Sequence, residues 1–257
     1  MVPTLALPRS AVLAAWLGLG GQLRSLLAAV QGDDEPHTVQ CDGTVTTLHE
    51  FLASLGRAEG GLDAACVLPV PGDPAALGPT VAAPAIEAGE AMLLRGPDGC
   101  RALVPLIRRF GSDLEPGHHV QWMATPVLDW RRAVISQVGS PGEADRALQA
   151  DLRAATAALL SLDVSHWWPE AASQVDAVRN AQLATDRLPT GLQPTRLRML
   201  TMAARLRAII ALAASDSMIP ASVFLADQRA AALREIDRAA RRAIAAATTF
   251  VTEVGTD

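Results

Sequence analysis

Four of the five tryptophans, Trp122, Trp130, Trp167 and Trp168, fall in one stretch of the chain, together with His118, His119, Arg131, Arg132 and His166. Aromatic faces beside guanidinium groups can hold an anionic, partly apolar ligand by stacking and charge. The candidate ligand-binding residues are therefore Trp122, Trp130, Arg131, Arg132, His166, Trp167 and Trp168. The plainer reading is that these tryptophans join two domains, because large aromatics normally sit at contacts.

Three weaker groups complete the inventory. Asp33, Asp34, Glu35 and His37 offer oxygen ligands for a hard cation, against the plainer reading of a solvated loop. His118 and His119 open a strand, so their rings point to opposite faces and cannot share a metal. Cys100 follows a hairpin turn near Arg95 and Arg101, but a reactive thiol needs a depressed pKa, and an inert side chain is the simpler expectation. No catalytic residue, metal site or cofactor is assigned.

Whole classes of chemistry are missing. The chain has no Lys and no Tyr, so all 22 basic residues are Arg, and Asn180 is its only Asn. Lysine Schiff bases, P-loop and kinase lysines and tyrosine nucleophiles are excluded. The A/T-rich codons of these residues point to the genome of a GC-rich bacterium. Gly-x-Ser-x-Gly, His-Glu-x-x-His, Cys-x-x-Cys and Gly-x-Gly-x-x-Gly do not occur. Gly18-Leu19-Gly20-Gly21 lies in a helical pattern and not after a strand, so it is no dinucleotide fingerprint.

Net charge is −5, with the excess acid in residues 1–139 and balance in 140–257. Neither half is basic, so no specific nucleic-acid partner is expected. Residues 179–242 hold 11 Arg against 5 acids, but Asp237 with Arg241 and Glu235 with Arg238 have the spacing of helix-surface pairs. Arg198 and Arg205 share a face of their helix, and Arg207 points the other way. Cys41, Cys66 and Cys100 are too sparse for a disulfide framework and suit a reducing cytoplasm. The apolar run after Arg9 is cut by Arg24, too short for a membrane span. It continues at helical spacing through Val30 as one core-facing helix.

The elements that position these groups come in two styles. Thr47 to Glu50 is a capping box opening a short helix that closes at Gly56, between strands at 37–41 and 64–70. A Pro/Gly/Ala loop over 71–84 is expected, with a helical turn at 85–89. Pro97-Asp98-Gly99 is a turn between apolar runs, and 118–125 alternates, so 90–126 reads as a three-stranded antiparallel meander. From Ser140 the period changes to helical. Four helices follow, starting near Ser140, Pro169, Pro194 and Pro220. The second is expected to run to Asp186. The third should be buried on all faces over Ala208–Ala214. The last should carry its seam through Leu233, Ile236, Ala240, Ala243, Ala247, Phe250 and Val254.

The expected fold is α+β: a mixed α/β domain over 1–138 with the meander, then an up-and-down four-helix bundle over 139–257. The leading functional expectation is a non-enzymatic cytoplasmic protein that binds another protein or forms a homo-oligomer, with no membrane and no specific nucleic acid. The alternative is a sensor for a small anionic ligand at the Trp/Arg-rich junction. The second alternative is an unrecognised hydrolase or transferase, because sites assemble in space.

Overall fold

The structure is a computed structural model and describes residues 4–56, 62–112, 115–161, 177–215 and 223–252. The fold is α+β. It divides into two compact units whose chain segments interleave. One comprises Met1–Leu7, Ser140–Ala184 and Pro194–Ala247; the other comprises Pro8–Gly139, Thr185–Gln193 and Thr248–Asp257. A single cut in sequence near residue 139 does not separate them, because the sheet unit takes back two later segments.

The sheet unit is built on β2 (Thr38–Cys41), β3 (Thr44–Thr47), β4 (Asp63–Val67), β5 (Ala91–Gly96), β6 (Gly99–Gly111) and β7 (Pro116–Pro126). Their order is β3-β2-β7-β6-β5-β4. The antiparallel run β5-β6-β7 thus lies within a six-stranded mixed sheet, because β2 pairs parallel to β7, with Val39 opposite Trp122. The Pro97–Asp98 turn closes the β5–β6 hairpin between Gly96 and Gly99, which has φ +107°. Helix α1 (Arg9–Leu19) packs on β4 and β5, and α4 (Pro79–Ala88) packs on β6.

Several expectations change here. The first helical run is two helices, α1 and α2 (Leu23–Gln31), because Gly20 adopts the left-handed conformation and ends α1. Gly18 lies inside α1 for a packing reason: a Cβ there would stand 2.2 Å from Phe250 Cγ. The expected loop over 71–84 contains the start of α4, where Gly78 is the N-cap and Pro79 takes the first turn, in which a missing N–H costs nothing. The capping box forms as read, opening α3 (Leu48–Ser54). Strand β4 ends at Val67, before Pro69. The sheet unit closes with α5 (Arg131–Val138).

The helical unit contains β1 (Thr4–Leu5), α6 (Pro141–Ser161), β8 (Gln182–Leu183), α7 (Pro194–Ser215) and α8 (Val223–Ala247). Strands β1 and β8 pair in parallel. The three helices pack on one another, and α8 meets both others. The helix expected from Pro169 falls largely outside the described residues. Its last turn ends by Asn180, and β8 follows in place of helix up to Asp186, because Gln182 and Leu183 pair with β1. In α7 the apolar run is not buried on all faces: Ala208 to Ile210 and Leu212 are half-buried and Ala211 is exposed, as on a helix covered along one side. Helix α8 ends at Ala247, so the seam does not continue to Phe250. Phe250 leaves the helix and exchanges both backbone hydrogen bonds with Ala64, extending the sheet unit beside β4. Val254 lies outside the described residues. Arg207 sits 3.8 Å from Asp237, and Arg241 donates to the same carboxylate at 2.8 Å.

Candidate functional site

Trp122 is fully buried in the sheet core. Its indole Nε1–H donates to Nδ1 of His37 at 3.3 Å. An indole only donates, so Nδ1 must accept, and the His37 proton sits on Nε2. Nε2 faces Asp34 Oδ2 at 3.3 Å. His37 has no exposure, and burial pushes its pKa down against the pull of Asp34.

Asp34 is the centre of this network. Its Oδ2 accepts from Arg9, 2.7 Å from Nε and 2.6 Å from a terminal nitrogen, and its Oδ1 lies 3.1 Å from Nδ1 of His118. Burial pushes the carboxyl up, but the hydrogen bond and charge of Arg9, then His37, hold it below the usual carboxylate range. Asp33 and Glu35 are exposed, as a solvated loop would have them, but the Asp34 carboxylate is largely covered and engaged by Arg9, His37 and His118. It ties α1, β2 and β7 together, with Glu35 N donating to the carbonyl of His118. A carboxylate that orients an imidazole is the base half of a nucleophile–base pair. Among the described residues, however, no Ser, Thr or Cys is hydrogen-bonded to His118. No group of three His, Cys, Asp or Glu among the described residues is placed to hold a metal ion.

The other candidates part company. Trp130 is buried in the same unit, and its Nε1 has no acceptor among the described residues. Arg131 is buried and clamped between two acids. It makes its closest contact, 2.6 Å, with Asp129, and its other arm reaches Asp63 Oδ2 at 3.2 Å. The hydrogen bonds from Arg131 hold the Asp129 carboxyl down at about 2, and Asp129 in turn raises Arg131. The second Asp63 oxygen accepts from the Thr252 amide and hydroxyl. Arg132 is exposed. His166, Trp167 and Trp168 lie outside the described residues. Burial, then Asp129, pushes the Cys100 thiol up, which makes it less reactive.

Sequence reasoning missed the ribbon. Strand β6 runs past β5, and β7 begins before β2, so among the described strands Ile107–Gly111 and Pro116–Val120 pair with each other and with no third strand. Phe110 lies opposite Gly117, where any Cβ would collide with the Phe110 ring, and it stacks on His119 with centroids 4.3 Å apart. Phe110 is 40% exposed and Ile107 39%. The signal available was the run Ile107-Arg108-Arg109-Phe110, apolar at both ends where the hairpin should turn.

Comparison with known proteins supplies the family. Residues 10–138 match the N-terminal domain of Rv1486c-like protein, and residues 142–245 match its C-terminal domain. The chain belongs to the Rv1486c-like protein family. This Rv1486c-like chain is 30% identical over 224 residues to the uncharacterized protein MT1533 of Mycobacterium tuberculosis strain CDC 1551 / Oshkosh. It is also 30% identical over 228 residues to the uncharacterized protein Rv1486c of strain H37Rv. Each alignment covers 81% of this chain and 77% of the relative. No solved structure matches. Among the described residues no helix is long and apolar enough to cross a membrane.

Proposed function

We propose that this protein works by binding another protein, without catalysis, and that the β6–β7 ribbon makes the contact. The observation that carries the reading is Phe110, exposed yet held in place by Gly117 and His119. An ordered aromatic in water loses little entropy on binding and supplies large contact area. Arg108, exposed on β6 opposite His119, adds a positive charge beside Phe110 that suits an acidic partner. Cytoplasmic action, with no specific nucleic-acid target, belongs to the same reading and is supported by three free cysteines. So does an up-and-down four-helix bundle in the helical region, supported by the mutual packing of α6, α7 and α8. The small-ligand alternative draws no support from Trp122, Trp130 or Arg131, whose side chains are engaged or enclosed inside the sheet unit. Site-specific photocrosslinking from position 107 in cells tests the proposal. A discrete adduct that disappears with Phe110→Ser, at unchanged melting temperature, supports it. Equal adducts from 107 and from an exposed control position refute it, and an adduct with the mass of two chains identifies the partner as a second copy.

A further inference from the structure

The arginines of α7 are spent in different ways. Arg196 donates to the last carbonyls of α8, Ala246 and Ala247. Arg198 pairs with Asp145 at 3.0 Å, and Arg207 faces Asp237. Arg205 has no carboxylate partner among the described residues. One terminal nitrogen donates to the Ala181 carbonyl at 3.2 Å, and its Nε is buried without an acceptor. An unmet buried donor costs the desolvation that water would have repaid. The fold therefore fixes this guanidinium in place, and its second terminal nitrogen, which makes no hydrogen bond among the described residues, is the donor left for a ligand.

The same residue lines an open groove of about 380 Å³, with Pro194, Leu197, Arg198, Thr201 and Met202 along one side of α7. That volume is in the range of small-molecule sites. Pro194 to Arg205 spans about 16 Å at 1.5 Å per residue. The polar group at one end is Arg205, and Met202, Leu197 and Pro194 lead away from it. Thr201 turns its hydroxyl proton back to the Leu197 carbonyl, 2.9 Å away, so it does not compete as a donor. Arg198, on the rim, is already neutralised by Asp145. The groove thus offers one net positive charge and an apolar track.

We propose that this groove binds an aliphatic carboxylate, its carboxylate on Arg205 and its chain along Met202 and Leu197 toward Pro194. The single unneutralised guanidinium matches one negative charge, and its planar fork suits a carboxylate. The groove belongs to the helical unit, and the proposal does not rest on the ribbon.

Calorimetric titration of the full chain with decanoate tests this, with decanol and acetate as probes lacking the charge or the chain. Decanoate is expected to bind at least about tenfold more tightly than either. Its addition should shift the Met202 methyl resonance. Arg205→Gln should weaken decanoate about tenfold or more. Thr201→Glu, four residues before Arg205, places a carboxylate on the same guanidinium and should abolish decanoate binding without lowering the melting temperature. Equal binding of decanol and decanoate, an unmoved Met202 methyl, or decanoate affinity unchanged in the variants would each overturn the proposal. If Arg205→Gln fails to fold, Thr201→Glu and the wild-type methyl shift decide.

Discussion

Trp122 and His37 are joined across β7 and β2 by one hydrogen bond, indole Nε1 to imidazole Nδ1, and that bond dictates a neutral His37. Protonating Nδ1 would set two donors against each other in a site with no water exposure. Burial lowers the His37 pKa in the folded state. A histidine with a depressed folded pKa favours folding fully above its unfolded value, about 6.5, and loses that contribution as pH falls below it. Asp34, also depressed, adds a second loss at lower pH, below its ordinary 3.8. Stability from urea unfolding should therefore fall from pH 7 to pH 5. His37→Gln, which can still accept from Trp122 and donate to Asp34, should flatten that fall. An unchanged slope in the variant would show that another group sets it.

Arg131 holds Asp63 at 3.2 Å deep in the sheet unit. Arg131→Met leaves a buried carboxylate with its main countercharge gone, and should cost about 3–5 kcal/mol. Asp129→Asn removes only a half-exposed partner and should cost far less. Chemical denaturation of both variants gives the comparison, and equal losses would contradict the central place assigned to Asp63.

Gly18 and Phe250 need each other. A methyl group on Gly18 would overlap the ring, so Gly18→Ala should cost about 1–3 kcal/mol by overpacking. In a double-mutant cycle with Phe250→Ala the two changes should be strongly non-additive, because the smaller side chain accepts the methyl. Simple additivity would mean that the ring moves aside freely.

Limited proteolysis at the Gly139–Ser140 break should leave the two pieces bound to each other. The later piece carries Arg187, which donates to the α2 carbonyls of Ala29 and Val30, and Phe250 and Thr252, which bond Ala64 and Asp63. Co-elution on a sizing column under native conditions checks this. Residues 1–139 expressed alone should melt below the sheet unit of the whole chain.

Local signals were legible without the structure. The capping box at Thr47 and Glu50, the turn at Pro97–Asp98, the alternation over 118–125 and the pairs Asp237–Arg241 and Glu235–Arg238 all depend on neighbours within a few residues. Such contacts are set by helix and strand periodicity, which is written in the spacing of side chains. Exclusions were equally plain, because a missing Lys cannot be supplied by folding. Tertiary structure decided what joined distant segments. The parallel pairing of β2 with β7 carried His37 to Trp122, and Asp34 drew in Arg9 and His118, making one acid of an exposed loop the centre of a covered junction. Phe250 left an unbroken helical pattern because Ala64 at the sheet edge offered it two backbone hydrogen bonds and Gly18 offered it room. Periodicity names the faces of each element, but which faces meet depends on long-range pairing, whose gain is shared among residues far apart in sequence.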